Sequence, residues 1–238
     1  IIDSTMKVTI HQPNYLPYPG LFHKLILSDV FVILDNVQFQ FDITNRNKII
    51  SKDGSWERIT VPVKKNQTHK KIMDVEINNE ISWSDNTFQK LNDSYASSNF
   101  FNQYEDYFKN LYKKKWTLLY ELNFETLKKM IEFLGIKIEI VKESELDIKG
   151  ESTERLINIC ETLNAKTYVS GIGGKNYLNE KLFKKKNIQL EYQKYQSMSY
   201  TQNHSKDFVP NLSAIDLLFN LGPESLDLIK KSRQQDIS

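Results

Sequence analysis

The sequence predicts an α/β fold: a mixed, partly parallel sheet that opens with a βαβ unit, together with a helical region over about residues 82–134. Two short segments, 7–11 and 30–34, are apolar and rich in β-branched residues, and a helical stretch at 21–27 separates them. Strand, helix and strand in this order form a right-handed crossover between parallel strands. Near the end of the region 82–134, leucine, methionine and isoleucine recur at three- and four-residue steps, the spacing of an amphipathic helix.

Further elements follow from turn residues and periodicity. The segment 12–20 is expected to be irregular, because its three prolines each remove a backbone donor. An Asp-Gly turn at 53–54 predicts a hairpin of strands 47–51 and 57–63. The remaining predicted elements are strands at 71–77, 136–141, 167–169 and 188–192, a helix at 153–163 capped by Ser152 or Thr153, and two final helices at 213–220 and 223–232.

The composition of the 238-residue chain excludes several functional classes. The net charge is only +2, whereas dedicated nucleic-acid-binding proteins usually carry a strong basic excess. Cys160 is the single cysteine, so the chain can form no internal disulfide. No apolar run approaches the ~20 residues of a membrane-spanning helix. We therefore expect a cytoplasmic protein that binds no nucleic acid and has no membrane span.

The length fits one domain, which we place at residues 6–238. Within it, residues 82–134 are a candidate helical subdomain. Residues 1–5 precede Met6 and are interpreted as vector-derived.

A polar loop, His11-Gln12-Pro13-Asn14-Tyr15, follows the first predicted strand. Asp35 follows the second. Ligands of parallel sheets bind at the carboxyl ends of the strands, so we expect His11 and Asp35 to approach each other or a shared ligand. A carboxylate beside an imidazole fixes its tautomer and makes it more basic. The alternative is a polar loop that only ends a strand, with Asp35 capping a turn.

Three other features have a structural and a functional interpretation. The small-residue segment Ser170–Gly174, followed by Tyr177, could bind phosphate or form a plain tight turn. Cys160 lies on the apolar stripe of the helix 153–163, which favours a core residue over a nucleophile. The four histidines lack the spacing of metal ligands, so we predict no metal site.

Motifs dispersed over residues 6–223 resemble those of the WbqC-like family of bacterial proteins. They are Gln12-Pro13-Asn14-Tyr15-Leu16-Pro17 with Gly20, Ser28-Asp29-Val30-Phe31-Val32 to Asp35, Asn45-Arg46-Asn47-Lys48-Ile49, Thr60-Val61-Pro62-Val63, Tyr168-Val169-Ser170-Gly171 with Tyr177-Leu178 and Phe183, Tyr200-Thr201-Gln202, and Leu212-Ser213-Ala214-Ile215-Asp216-Leu217-Leu218-Phe219-Asn220. The family often occurs among genes for O-antigen and other surface glycans. The resemblance therefore implies a role in lipopolysaccharide biosynthesis, namely acylation of an amino sugar.

On this basis the expected function is an N-acyltransferase that moves an acyl or aminoacyl group from a thioester to the amine of a nucleotide-linked amino sugar. The expected catalytic residues are His11 as base, Asp35 as its partner, and Asn14 or the Ser170–Gly173 amides as oxyanion donors. The expected substrate-binding residues are Gln12, Tyr15, Arg46, Ser170, Gly171, Tyr177, Gln202 and Asp216. No cofactor is expected in the protein, and the donor would be a carrier-protein or CoA thioester.

Two alternatives remain open. The opening strand, histidine-bearing loop and helix loosely resemble nucleotidylyltransferases, although the second histidine of their paired motif is missing from this loop. A non-catalytic, nucleotide-sugar-binding partner of a glycan enzyme is the third possibility.

Overall fold

The computed structural model describes residues 6–232; the interpretation of residues 1–5 lies outside them. The strands are β1 (Lys7–His11), β2 (Val30–Ile33), β3 (Arg46–Ile50), β4 (Trp56–Thr60), β5 (Glu139–Lys142), β6 (Thr167–Ser170) and β7 (Gln189–Tyr192). The helices are α1 (Pro19–Ile26), α2 (Trp83–Tyr95), α3 (Phe101–Lys113), α4 (Leu119–Phe133), α5 (Ser152–Thr162), α6 (Glu180–Lys185), α7 (Ala214–Leu221) and α8 (Ser225–Lys231). The α/β class and the helical region are confirmed.

A five-stranded parallel sheet in the order β5-β2-β1-β6-β7 organises the molecule. The predicted βαβ unit is confirmed: β1 pairs in parallel with β2, and His11 lies level with Ile33. On its other side β1 pairs with β6. The chain leaves β1 toward β2 and leaves β6 toward β7, in opposite directions across the sheet. The carboxyl ends of β1 and β6 therefore form a topological switch point, where ligands of open α/β sheets bind.

Both faces of the sheet are covered. On one face, Leu21, Phe22 and Leu25 of α1 share an apolar cluster with Phe31 and Ile33 of β2. The three helices of the region 82–134 and α7 contribute to the same cluster. On the other face, Val8, Ile10, Val30 and Val32 pack with residues of α5 and α6, including Ile159 and Phe183. Strands buried on both faces explain the near-continuous apolar runs in the sequence.

The predicted hairpin is confirmed as a separate two-stranded antiparallel sheet, β3 with β4. Its turn contains Gly54 at φ +84°, a backbone conformation that glycine adopts without strain. A Cβ at this position would also lie 2.4 Å from the His204 carbonyl oxygen. The turn therefore requires glycine for two reasons, its dihedral angle and the close approach of another segment.

The predicted strand at 71–77 is wrong. Ile72–Asp74 forms a 3₁₀-helix, and only isolated bridges flank it, at Lys71, Glu76 and Ile77. The buried residues Ile72 and Val75 are three positions apart, which is a helical spacing. The alternation of apolar and polar residues in the segment obscured this spacing. The amides of Ile72 and Met73 donate to the carbonyls of Val37 and Asp35, so this segment fastens the chain that follows β2.

The predicted cap of α5 is also wrong. Neither Ser152 nor Thr153 caps it; Ser152 is already helical by hydrogen bonding and has φ +50°. Instead, the Thr153 hydroxyl accepts a hydrogen bond from the Asn179 amide at 3.1 Å, which ties the start of α5 to the start of α6. Cys160 is buried, and burial raises the pKa of its thiol to about 12. These observations agree with its interpretation as a core residue.

Candidate functional site

The loop after β1 is held in place by amide side chains from two other elements. Asn47 of β3 donates to the carbonyls of Tyr15 and Leu16, at 3.3 and 2.7 Å, and Asn123 of α4 donates to that of Pro13 at 2.7 Å. Leu16 has φ +43°, which is uncommon for a residue other than glycine. Non-local hydrogen bonds therefore hold a backbone shape that the loop sequence alone would disfavour.

His11 ends β1 as a neutral imidazole. Its Nδ1 lies 2.9 Å from the Gln12 carbonyl oxygen, which can only accept, so Nδ1 carries the proton and Nε2 presents a lone pair. Burial, reinforced by the charge of Lys24, lowers the pKa of His11 from 6.5 to about 3, and the hydrogen bond to Gln12 opposes this shift only weakly. The expectation of a more basic imidazole is therefore wrong.

Asp35 has different partners from the one expected. Its carboxylate accepts hydrogen bonds from the Ser144 amide at 2.9 Å and from the Ser144 hydroxyl at 2.7 Å. These contacts tie the chain after β2 to the chain after β5, and Asp35 lines neither of the clefts described below. The parallel topology placed both residues at one edge of the sheet, as expected, but their hydrogen bonds lead in different directions.

A first cleft, the outer cleft, lies between the loop after β1 and the β3–β4 hairpin, with a volume of about 330 Å³. It is lined by His11, Asn14, Tyr18, Asp42, Ile43, Arg46, Asn47, Lys48, Arg58 and Asn211. Three of these side chains are cations and one is an anion. Such an excess of positive charge, with two arginines able to bind oxygens in pairs, suits a phosphate or carboxylate ligand.

Several buried polar atoms around this loop have no protein partner. They include the side-chain oxygens of Gln12 and Asn14 and the Nε of Arg46. The closest charged neighbour of that Nε is Asp42, whose Oδ1 lies 3.8 Å away, too far for a hydrogen bond. Buried polar groups are normally satisfied. The unpartnered Asn14 oxygen and the donors of Arg46, both at the outer cleft, therefore suit a ligand that carries an anion and a hydroxyl or amine.

A second cleft, the inner cleft, lies at the switch point and has a volume of about 270 Å³. It is lined by Ile10, His11, Tyr18, Gly20, Leu21, Lys24, Tyr168, Ser170–Gly174, Tyr177 and Gln193. His11 and Tyr18 line both clefts, so the imidazole stands where the two meet. Gly20 permits this arrangement, because a Cβ there would lie 2.2 Å from the Tyr18 ring. Ser170, Gly171 and the largely exposed Tyr177 thus line the same cleft as His11.

Lys24 is a site residue that the sequence analysis missed. It is only 4% exposed, and its Nζ donates to the Ile10 carbonyl oxygen at 3.2 Å. Burial lowers its pKa from 10.5 to about 7. The signal was present in the sequence: Lys24 lies between core residues of α1, three positions after Leu21, where a lysine must be buried with the helix.

Four predicted substrate-binding residues line neither cleft: Gln12, Tyr15, Gln202 and Asp216. The fully buried Tyr15 pairs its hydroxyl with that of Tyr112. Gln202 donates to the Val209 carbonyl and to Asp216, and accepts from the Val209 amide. Asp216 accepts hydrogen bonds from Tyr95, Tyr200 and Gln202 at 2.9, 2.6 and 3.0 Å, while burial raises the pKa of its carboxyl group. This geometry gives Tyr15, Gln202 and Asp216 structural partners, whereas the Gln12 side-chain oxygen is buried without one.

None of the helices within residues 6–232 combines the length and apolarity that crossing a membrane requires. In the same residues, no three histidine, cysteine or acidic side chains gather as a metal site would need.

Comparison with known proteins identifies the family. The model of the WbqC-like protein family matches residues 12–228, which include Lys24, Arg46 and the glycine loop Ser170–Gly174 but begin one residue after His11. A protein of Mycobacterium tuberculosis, described as "Uncharacterized protein Rv1507c", is 32% identical over 232 residues, covering 96% of this chain and 99% of that protein. No solved structure matches. Because the family match covers most of the chain, and the relative aligns almost end to end, this protein belongs to the WbqC-like family.

Proposed function

We propose that this protein is an N-acyltransferase of surface-glycan synthesis, which acylates the amine of a nucleotide-linked amino sugar with a carrier-protein or CoA thioester as donor. The observation that carries the proposal is the position of His11, a neutral imidazole at the junction of a basic cleft and a glycine-lined cleft. Two adjoining clefts can hold two substrates with their reacting atoms together, which supplies much of the rate enhancement of a bimolecular reaction.

The outer cleft suits the diphosphate of the nucleotide sugar, which is the acyl acceptor. Arg46, Lys48 and Arg58 supply three cations, and the Trp56 ring restrains two of them, with Lys48 Nζ 4.4 Å and Arg58 Cζ 5.7 Å from its centroid. Restrained cations lose less side-chain entropy when a ligand binds. The unpartnered oxygen of Asn14 would accept a hydrogen bond from a sugar hydroxyl or from the reacting amine.

In the proposed step, the amine attacks the thioester carbonyl, a C–N bond forms, and the C–S bond breaks as the thiolate leaves. Nε2 of His11 accepts a hydrogen bond from the amine and orients it. An imidazole with a pKa of about 3 holds a proton only briefly, so His11 would relay the amine proton to the departing thiolate. Asn14 and the Ser170–Gly173 amides are the candidate donors to the oxyanion.

A ligand screen by thermal shift is the first test, because a bound ligand raises apparent stability. We expect nucleotide-linked amino sugars to stabilise the protein. We then expect mass spectrometry to detect the acylated nucleotide sugar after incubation with acyl thioesters. Stabilisation by ATP or CTP with magnesium instead would favour nucleotidyl transfer. Binding of nucleotide sugar without any product, whichever thioester is supplied, would favour a non-catalytic binding protein.

Arg46→Lys tests the outer cleft. Lysine keeps the charge but loses the paired donors of the guanidinium, so the nucleotide sugar should bind roughly 10-fold more weakly, as measured by calorimetry. The matched control is Lys129→Arg. Lys129 forms an i,i+3 ion pair with Glu132 and lines neither cleft, so binding should stay the same. An unchanged dissociation constant for Arg46→Lys would remove Arg46 from the binding site.

A further inference from the structure

Lys24 is a buried cation without a counter-charge. Its Nζ makes one hydrogen bond, to the Ile10 carbonyl oxygen, and no carboxylate of the described residues forms an ion pair with it. Buried charges in proteins are normally paired, because removal from water is costly. The folded chain therefore supplies no counter-charge for the ammonium group of Lys24.

The surroundings of Lys24 contain no negative group either. The titratable side chains that line the inner cleft with it are His11 from β1, Tyr18 from the following loop, Tyr168 from β6 and Tyr177 after the glycine loop. No aspartate or glutamate is among the lining residues of this part of the structure. Burial raises the pKa values of Tyr18, Tyr168 and Tyr177, so the three phenols are neutral at physiological pH.

The walls of the inner cleft suit a small polar group. Ser170 lies at the end of β6, and its hydroxyl donates to the Gly171 carbonyl at 3.1 Å. Gly173 has open space around it, since no atom lies within 4 Å of a Cβ built there. The volume of about 270 Å³ leaves room for such a group beside His11.

We propose that the inner cleft is a subsite for a small carboxylate group, which supplies the missing counter-charge of Lys24. One cation matches one negative charge here, whereas the three cations of the outer cleft match a polyanion. The subsite does not depend on acyl transfer, because the pairing of Lys24 with a carboxylate needs no reaction.

The test measures the pKa of Lys24 by NMR of the lysine side chains in the whole protein. The titration is recorded once with sodium acetate and once with sodium chloride at equal ionic strength. An opposite charge within about 4–6 Å favours the ammonium form, so acetate should raise the pKa of Lys24 by about one unit. Lys128, an exposed lysine outside both clefts, is the internal control and should shift much less. Lys24→Met should abolish the spectral changes that acetate causes at Tyr177 and Gly173.

Three results would overturn the proposal. The first is a pKa of Lys24 that does not respond to acetate. The second is an equal response of the exposed Lys128, which would mean non-specific anion binding. The third is a response to inorganic phosphate but not to acetate, which would make the inner cleft a phosphate site. Because every outcome is read from NMR spectra recorded without nucleotide sugar or thioester, failure of the carboxylate subsite is distinguishable from failure of the proposed acyl transfer.

Discussion

At the residue scale, the protonation state of His11 is set by groups that lie close to it in space. The Gln12 carbonyl fixes the tautomer, while burial and Lys24 keep the ring neutral. A neutral ring with a free Nε2 can accept a hydrogen bond from an incoming amine at every pH at which the protein would be expected to work. Lys24, with a pKa of about 7, is the group of this site that titrates near neutrality.

His11→Gln should therefore bind nucleotide sugar normally but lose roughly 100-fold in turnover, the usual scale of a lost proton-transfer group. Any inflection of the rate near pH 7 should persist in the variant, because Lys24 and not His11 titrates there. Steady-state kinetics across pH measures both effects. Turnover within a few-fold of the parent would leave His11 as a binding residue only.

Tyr95 illustrates a residue whose role is structural. Its hydroxyl donates to Asp216 at 2.9 Å and accepts from the Ile50 amide at 3.1 Å, so it connects α7 with the hairpin. Tyr95→Phe leaves both groups without this partner, and we expect a loss of about 1–3 kcal/mol in the free energy of unfolding by urea. Tyr107→Phe is the control: its hydroxyl makes only a 3.5 Å contact at an exposed position, so the change should stay within about 0.5 kcal/mol. Equal effects of the two substitutions would contradict this role.

At the element scale, the glycine loop after β6 depends on one of its glycines for space. A Cβ at Gly174 would lie 2.2 Å from Ser170 Oγ and 2.9 Å from Leu178 Cδ1, whereas a Cβ at Gly173 would meet nothing within 4 Å. The backbone turns tightly here, with the Gly174 amide donating to the Gly171 carbonyl at 2.9 Å. The loop can thus bring Ser170 to the cleft only if residue 174 has no side chain.

Gly174→Ala should lower the stability of the protein by about 1–3 kcal/mol in urea unfolding, the usual cost of overpacking. It should also weaken ligand binding at the inner cleft, because Ser170 must move. Gly173→Ala, a matched control in the same loop, should be neutral or slightly stabilising, since alanine restricts the unfolded chain. Indistinguishable unfolding midpoints for the two variants would show that the loop adjusts without cost.

At the scale of the whole molecule, Lys24 and His11 link the stability of the fold to pH. Both have a folded pKa below the unfolded value, so the unfolded chain binds more protons and stability falls as pH falls. For Lys24, the window runs from 10.5, the unfolded value, down to about 7. For His11, it runs from 6.5 down to about 3.

Lys24→Met should raise the urea midpoint of the protein at pH 7, because it removes a buried charge. The gain over the parent should shrink as pH rises from 7 toward about 9, a range that lies below the ionisation of tyrosine in the unfolded chain. Lys65→Met is the control, since this exposed lysine should show no such pH dependence. A gain that is independent of pH would mean that Lys24 stays protonated in the folded protein throughout this range, as it does in the unfolded chain.

Local pattern determined much of this molecule. Proline positions, β-branched runs and an Asp-Gly turn predicted the βαβ opening, the hairpin and the helical region, because sterics and burial period act over a few residues. The same reasoning placed His11 and Asp35 at the carboxyl edge of a parallel sheet, and the segment Ser170–Gly174 directly after a strand. It failed at 71–77, where the partners of the backbone lie after β2 and not in a neighbouring strand.

Only the tertiary structure decided which polar residues form the site. In the sequence, the polar residues Asp35, Gln202 and Asp216 are as plausible for a site as His11, Asn14 and Arg46. In the structure, the first three form hydrogen bonds within the protein, with Ser144, Val209 and two tyrosines. Lys24 is a site residue because α1 buries it at the inner cleft, which no carboxylate lines. The pKa of a group and its free hydrogen-bonding capacity depend on neighbours that are far apart in the chain. The sequence therefore determined which edge of the sheet carries the site, whereas packing determined the chemistry at that edge.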